Sequence, residues 1–301
     1  MSSEYRELRI MSKLDSLVKD TAIYGLSSII GKFLNYLLVP LYTYLLANTD
    51  DYGIVTNLYA WTALLLVILT YGMETGFFRF ANKEGYDAKQ VYKTAYIALL
   101  SSSVLFAVLC VIFQQPIANV LDYPNHSEFI ALMAVTVAID AFASIPFAYL
   151  LYQKRPIIFV MLNLLSVLLI IGFNSLFLVI LGKTDVIYIF ISNIMATGIQ
   201  TLCLLPFCLP RGARFSWSLL REMLRYSLPL LILGVAGIMN QTLDRILFLK
   251  LYPFEDAKAQ LGIYGACFKV AMVMMMFTQA FRYAYEPFVF AKHKNRQSAE
   301  A

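Results

Sequence analysis

The sequence predicts an all-α bundle of membrane-spanning helices, on three observations. Sixty per cent of its 301 residues are apolar and 14% are charged, whereas a soluble domain is about half apolar and a quarter charged. The mean hydropathy is +0.68. Apolar stretches of roughly 20 residues or more recur along the whole chain, each long enough to cross a bilayer as a helix. Basic residues also crowd into alternate connections between those stretches, as they do in multi-pass proteins.

In chain order, residues 1–20 are charged and mildly amphipathic, with Leu8, Met11, Leu14, Leu17 and Val18 at near-helical spacing. That pattern predicts a short cytoplasmic helix on the membrane surface before the first span. Eight spans follow, at about 21–47, 52–80, 91–114, 127–152, 156–181, 185–208, 224–250 and 262–290. Arg6, Arg9, Lys13 and Lys19 precede the first. Connection 2–3 has Arg79, Lys83, Lys89 and Lys93, connection 4–5 has Lys154 and Arg155, and connection 6–7 has Arg211, Arg214, Arg221 and Arg225. Connections 1–2 and 3–4 have no Lys or Arg, 5–6 has Lys183, and 7–8 has Lys250 and Lys258. The positive-inside rule then places both termini in the cytoplasm. The connections are short, so no soluble domain interrupts the bundle.

Composition also excludes several functions. The net charge of +5 is spread over connections and gives no nucleic-acid signature. Cys110, Cys203, Cys208 and Cys267 lie in or at the ends of apolar stretches without a CxxC pair, and read as small hydrophobes. His126 and His293 fall in polar connections, and two histidines alone build no metal site. No metal and no cofactor is expected, and no enzyme.

Four basic residues fall inside the spans: Lys32, Arg245, Lys269 and Arg282, in company with Glu74, Asp140, Asp244 and Glu286. A charge at a helix centre costs about 2.5–3.5 kcal/mol on insertion scales, so such residues face protein or water. Gly25, Ser28, Lys32 and Asn35 form one stripe in span 1, and Gly234, Gly237, Gln241 and Asp244 form another in span 7, both with spacing 3, 4, 3. An offset of 209 residues relates the two sets, and it also carries Gly53 to Gly262 and Ile54 to Ile263. Span 7 therefore repeats span 1, and span 8 repeats span 2. Span 2 aligns Gly53, Thr56, Ala60, Ala63, Thr70 and Glu74, and span 8 aligns Gly262, Gly265, Lys269, Gln279 and Glu286. Small residues alone signal close helix packing; charges in the same stripes favour a water-filled cavity. A repeat restarting after six spans is parallel, the arrangement in which transporters rock two lobes about a central site. The predicted organisation is thus a first six-helix lobe over 21–210 and the start of a second, truncated lobe over 211–301.

With these residues in view, the chain resembles the polysaccharide-export flippases of the MOP superfamily, which also holds the MATE multidrug exporters and the lipid II flippases. The resemblance is carried by "DTAIYGLSSIIGKFLNYLLVPLYTYLL" (20–46), "DDYGIVTNLY" (50–59) and "YGMETGFFRFA" (71–81). In the second half it is carried by "LRYSLPLLILGVAGIMNQTLDRILF" (224–248), "LGIYGACFKVA" (261–271) and "FRYAYEPFVFA" (281–291). It implies a MATE-like bundle in the cell inner (cytoplasmic) membrane. The implied partners are membrane lipids and, as cargo, an oligosaccharide on a polyprenyl pyrophosphate, moved for surface polysaccharide (O-antigen, lipopolysaccharide) biosynthesis. A pyrophosphate demands cations: Lys32 matches the family's basic position in its first helix, and Asp244-Arg245 matches the acidic-basic pair of its seventh. Lys269 is placed to join them, and Asn35 and Gln241 share their stripes. Coupling to protons or sodium is left open, with Glu74, Asp140 and Asp244 as candidates on charge. Arg79, Arg282 and Glu286, near cytoplasmic ends, are the candidate gate.

Alternatives remain. A MATE-type cation-coupled drug exporter would favour acidic residues in the cavity. A membrane polymerase or ligase would carry a long outer loop with arginines or histidines. The chain ends two spans into its second copy, so a fragment, or a truncated and non-transporting remnant, is also expected.

Overall fold

A computed structural model of the chain describes residues 34, 38–46, 48–210, 212, 214–252, 254–272, 274 and 278. The elements are α1 (Leu38–Leu45), α2 (Thr49–Thr70), α3 (Met73–Ala81), α4 (Ala88–Ile112), α5 (Gln114–Val120), α6 (Ser127–Tyr152), α7 (Pro156–Asn174), α8 (Ile187–Cys208) and α9 (Trp217–Leu251). A further helix, α10, runs over 257–272. No strand occurs among the described residues. Six segments are long and apolar enough to cross a membrane: Asp50–Ala81, Ala88–Ile112, Ser127–Tyr152, Pro156–Ile180, Ile187–Cys208 and Trp217–Leu251. They correspond to predicted spans 2 to 7. Span 1 is represented by α1 and span 8 by α10; the surface helix of residues 1–20 lies outside the described residues, as do Lys32, Asn35, Gln279, Arg282 and Glu286.

Local signals set the helix ends. The Asp51 carboxylate accepts from the Asn48 N–H at 3.3 Å and starts α2. Asp87 accepts from the Lys89 N–H at 3.0 Å and starts α4. Pro156, whose fixed φ suits a first turn, starts α7. That helix passes into a π-helical turn, Ser175–Ile180.

Three elements differ from the sequence reading. The second span is broken: Tyr71 at φ 36° and Gly72 at φ 67° are both left-handed, so α2 ends and α3 restarts with a new phase. Thr70 and Glu74 therefore belong to different helices. The seventh span begins at Trp217 rather than near 224, because Ser216 caps it through the Leu219 N–H at 3.4 Å. Arg221 and Arg225 ride on its first turns, where long basic side chains reach the interface. The connection over 115–126 contains the short helix α5.

Helix α6 is the hub, packing on α2, α3, α4, α5, α7 and α8. Ala134, Ala138, Ala141, Ala143 and Ala148 are buried along it, and small side chains let neighbouring backbones approach closely. One buried cluster, with Met73, Phe77, Tyr92, Leu99, Ile145, Leu204 and Met223, fills the end nearest the basic connections. There Tyr92 and Tyr149 stack with centroids 3.9 Å apart, and the Tyr92 hydroxyl donates to the Cys208 carbonyl. A second cluster, with Leu58, Tyr123, Phe129, Ile130 and Ile189, fills the opposite end.

Helix α9 lies along α2, α3 and α4, and α10 crosses α2 at the end away from the basic connections. A Cβ on Gly53 would fall on the Lys258 carbonyl and 3.2 Å from the Gly262 nitrogen, and one on Gly265 would fall on the Thr56 side chain. Gly53 and Gly262 are 209 positions apart, as are Thr56 and Gly265. Residues that the 209-residue offset pairs thus touch each other.

Gly53→Ala is expected to destabilise the protein by about 1–3 kcal/mol through overpacking. Gly237, with no atom within 4 Å of a Cβ placed there, is the control. Gly237→Ala is expected to be neutral or stabilising by up to about 1 kcal/mol. Thermal unfolding of both variants in detergent checks the pair.

Candidate functional site

Between α1, α2, α7 and α8 on one side and α9 and α10 on the other lies a cavity of about 410 Å³. The first side contributes Leu38, Val39, Tyr42, Tyr52, Val55, Thr56, Tyr59, Ala63, Ile170 and Asn193. The second contributes Ile238, Gln241, Thr242, Arg245, Gly265, Phe268, Lys269 and Met272. Among the described residues no carboxylate lines it, while Arg245 and Lys269 do.

The geometry around Arg245 is specific. Its Nη2 donates to the Gln241 carbonyl one turn earlier. Its guanidinium carbon sits 4.2 Å over the centre of the Phe268 ring, a cation–π contact that leaves the in-plane N–H groups free for a ligand. Its Nε is buried without a hydrogen-bond partner, and the nearest Asp244 oxygen is 3.6 Å away. Asp244 is committed elsewhere, because its other oxygen accepts from the Tyr264 hydroxyl at 2.5 Å. The Arg245 side chain is 13% exposed against 39% for Asp244, so the carboxylate points out of the pocket that the guanidinium faces. Lys269 lies close enough for Arg245 to act on it electrostatically. Two cations on one wall repel, and an anion between them relieves the repulsion.

The backbone under Arg245 is pinned from the first side. Asn57 donates from Nδ2 to the Arg245 carbonyl at 2.8 Å and accepts from the Tyr123 hydroxyl at 3.2 Å. The Lys258 ammonium lies 5.1 Å over the Tyr123 ring. This relay joins the connection before α6, helix α2, and the two helices that carry the cations.

The predicted residues are therefore distributed unevenly. Gln241, Arg245 and Lys269 come together in the cavity. Asp244 flanks it. Gly234 packs against the Val67 side chain, and nothing lies within 4 Å of a Cβ at Gly237. The wall is thus formed by the face through Ile238, Gln241, Thr242 and Arg245, not by the stripe ending at Asp244. Glu74 is exposed on α3 and does not reach the cavity. Asp140, mid-way along α6, lies beside Thr197 of α8. Arg79 places its guanidinium 4.0 Å over the Tyr226 ring of α9, and nearby the Tyr86 hydroxyl donates to Glu222 at 2.6 Å. Those contacts tie the basic end of the first lobe to α9. Sequence reasoning missed Tyr42, Tyr52, Tyr59, Asn193, Phe268 and the Asn57 relay. Tyr52 and Tyr59 do flank the Gly53–Ala63 stripe, next to Gly53 and Ala60, which was the available signal.

No group of three or more His, Cys, Asp or Glu among the described residues is arranged to hold a metal.

A multi-pass membrane protein whose two-sided helical bundle encloses a basic cavity is the class that fold and site define. The arrangement is similar to that of solved transporters. One is an inward-facing multidrug resistance MATE family transporter of the MOP superfamily, with a TM-score of 0.61 at 13% identity. Another is a MOP superfamily transporter from Pyrococcus furiosus Vc1, described as having a binding pocket of reversed polarity that suggests a different function, with a TM-score of 0.60 at 14% identity. The likeness covers 84% and 90% of this chain, and the chain spans 58% of the first structure and 69% of the second. Among curated proteins no sequence matches significantly. The family described as polysaccharide biosynthesis protein matches residues 45–299, and the chain belongs to that family.

Asn57→Leu is expected to cost about 1–3 kcal/mol, because it strands the buried Tyr123 hydroxyl and removes one donor from the Arg245 carbonyl. The same substitution in a Tyr123→Phe background is expected to cost less. A double-mutant cycle by thermal unfolding checks this.

Proposed function

We propose that this protein carries an oligosaccharide linked to a polyprenyl pyrophosphate across the cytoplasmic membrane for surface polysaccharide assembly. The observation that carries the reading is the pair Arg245 and Lys269 on a cavity that no described carboxylate lines. A pyrophosphate supplies the missing negative charge. Arginine grips phosphate oxygens with two parallel donors, and lysine adds a compact point charge. One Arg245 Nη is anchored on the Gln241 carbonyl, and the Nη donors that remain are those such a ligand would engage. Membership of a polysaccharide biosynthesis family supports the same cargo class. A cationic drug would meet two like charges on the same wall, so the exporter reading is disfavoured.

In this reading the connections α3–α4, α6–α7 and α8–α9, rich in lysine and arginine, face the cytoplasm, as the positive-inside rule directs. The Arg79–Tyr226 and Tyr86–Glu222 contacts serve as the cytoplasmic latch between the lobes. Of the three carboxylates considered for ion coupling, Asp140 is the best placed, since it lies within the first lobe against Thr197 rather than on an exposed face.

Arg245→Ala is expected to abolish surface glycan in cells that depend on this protein, at unchanged membrane abundance. It is also expected to weaken binding of polyprenyl pyrophosphate roughly tenfold to hundredfold, the worth of one or two charge-assisted hydrogen bonds. Normal glycan at matched expression would remove Arg245 from the substrate site. Glycan staining with quantified membrane protein makes the test.

A further inference from the structure

The cavity has two chemically distinct walls. The cations of its described lining, Arg245 and Lys269, belong to α9 and α10, whereas its three tyrosines and its one asparagine belong to α1, α2 and α8. The hydroxyls are not equivalent. Tyr42 donates to Asn174 Oδ1 at 3.1 Å and is committed. Tyr59 accepts from the Asn193 amide, which leaves its own proton free to donate. Tyr52 is 5% exposed, and its hydroxyl has no hydrogen-bond partner among the described residues. It packs against Tyr42 with ring centroids 6.3 Å apart. A buried tyrosine normally finds a partner for its hydroxyl, so an unpartnered one on a cavity wall marks a place where a ligand supplies it.

Among the described residues the chemistry of this wall is neutral. It offers aromatic faces, two hydroxyls and the remaining amide capacity of Asn193. A pyranose ring matches it, since one face presents C–H groups to aromatic rings and the rim presents hydroxyls to neutral donors and acceptors. A pyrophosphate matches it less well, because no cation is among its described residues. Resting on the reading given under Proposed function, we propose that the wall formed by Tyr52, Tyr59 and Asn193 binds the first sugar of the lipid-linked glycan and selects which glycan is accepted. The pyrophosphate is held across the cavity by Arg245 and Lys269. Charge then supplies affinity common to every cargo of this class, and the tyrosine wall supplies discrimination. Sites built to hydrogen-bond a substrate hydroxyl reject analogues that lack it far more strongly than apolar pockets reject an extra group.

The test uses the chain in lipid nanodiscs and measures binding of polyprenyl pyrophosphate alone and of the same lipid bearing one glucose, galactose, N-acetylglucosamine or N-acetylgalactosamine. At least one sugar is expected to bind several-fold tighter than the bare lipid. In Tyr52→Phe the ratio of sugar-bearing to bare affinity is expected to fall about 2- to 10-fold, the worth of one neutral hydrogen bond. Tyr59→Phe is expected to lower the same ratio. In Lys269→Gln both affinities are expected to fall together while the ratio holds, which separates this wall from the phosphate wall. A bare lipid that binds with no tighter sugar-bearing form would overturn the assignment and leave the flippase reading standing. So would a Tyr52→Phe variant that loses both affinities in parallel, since that is a structural effect. Failure of the bare lipid to bind at all would sink the flippase reading and this inference with it.

Discussion

The structure turns on one electrostatic constraint: two basic side chains, Arg245 and Lys269, line a membrane-embedded cavity that no described carboxylate lines. A charge placed at bilayer depth is costly unless something answers it. Here the obvious answer, the neighbouring Asp244, stands 3.6 Å from Nε and is drawn off by the Tyr264 hydroxyl. Phe268 covers one face of the guanidinium and the Gln241 carbonyl takes one donor. Nε is buried without a hydrogen-bond partner, and the Nη donors not taken by Gln241 are left for a ligand. The arrangement is incomplete without an anion, and that incompleteness is what the family's cargo class would satisfy.

The rest of the fold holds that incomplete site in place. Helix α6 buries its small-residue faces against six neighbours and gives the first lobe a rigid axis. Helix α10 is pressed onto α2 where glycine meets glycine and threonine meets glycine, and α9 is held close by Gly234 against Val67 and by Ser227 against Gly72 and Gly76. Backbones that close leave no room for slippage, so the register of Arg245 and Lys269 against the tyrosine wall is set sterically. Asn57 adds a polar pin directly beneath Arg245. The two ends of α9 are anchored differently, by the Asn57–Tyr123–Lys258 relay at one and by Tyr226 and Glu222 at the other.

Much of this was legible in the sequence. Apolar length located spans 2 to 7, because lipid forces every backbone group into a helix and leaves hydropathy as a nearly sufficient signal. The offset of 209 pairs Gly53 with Gly262 in the sequence, and in the structure the two glycines are in contact. The break at Tyr71–Gly72 escaped notice, because hydropathy does not report a backbone turning left-handed within a span. The phase of α9 was also misjudged. Asp244 and Arg245 are adjacent in sequence and about 100° apart on a helix, and a helix apolar on most sides offers little to say which one faces inward. The tyrosine wall was not legible either. Tyr42, Tyr52 and Tyr59 are three of 20 tyrosines in the chain, and only tertiary packing brings Asn193 of α8 to Tyr59.

The most direct measurement of the central claim is an experimental structure of the protein in nanodiscs with polyprenyl pyrophosphate bound. Phosphate density within about 3.2 Å of the Arg245 and Lys269 nitrogens, with Asp244 still turned towards Tyr264, is the predicted result. A cavity filled by acyl chain, with the pyrophosphate held at the membrane surface and both cations turned away, would contradict the account.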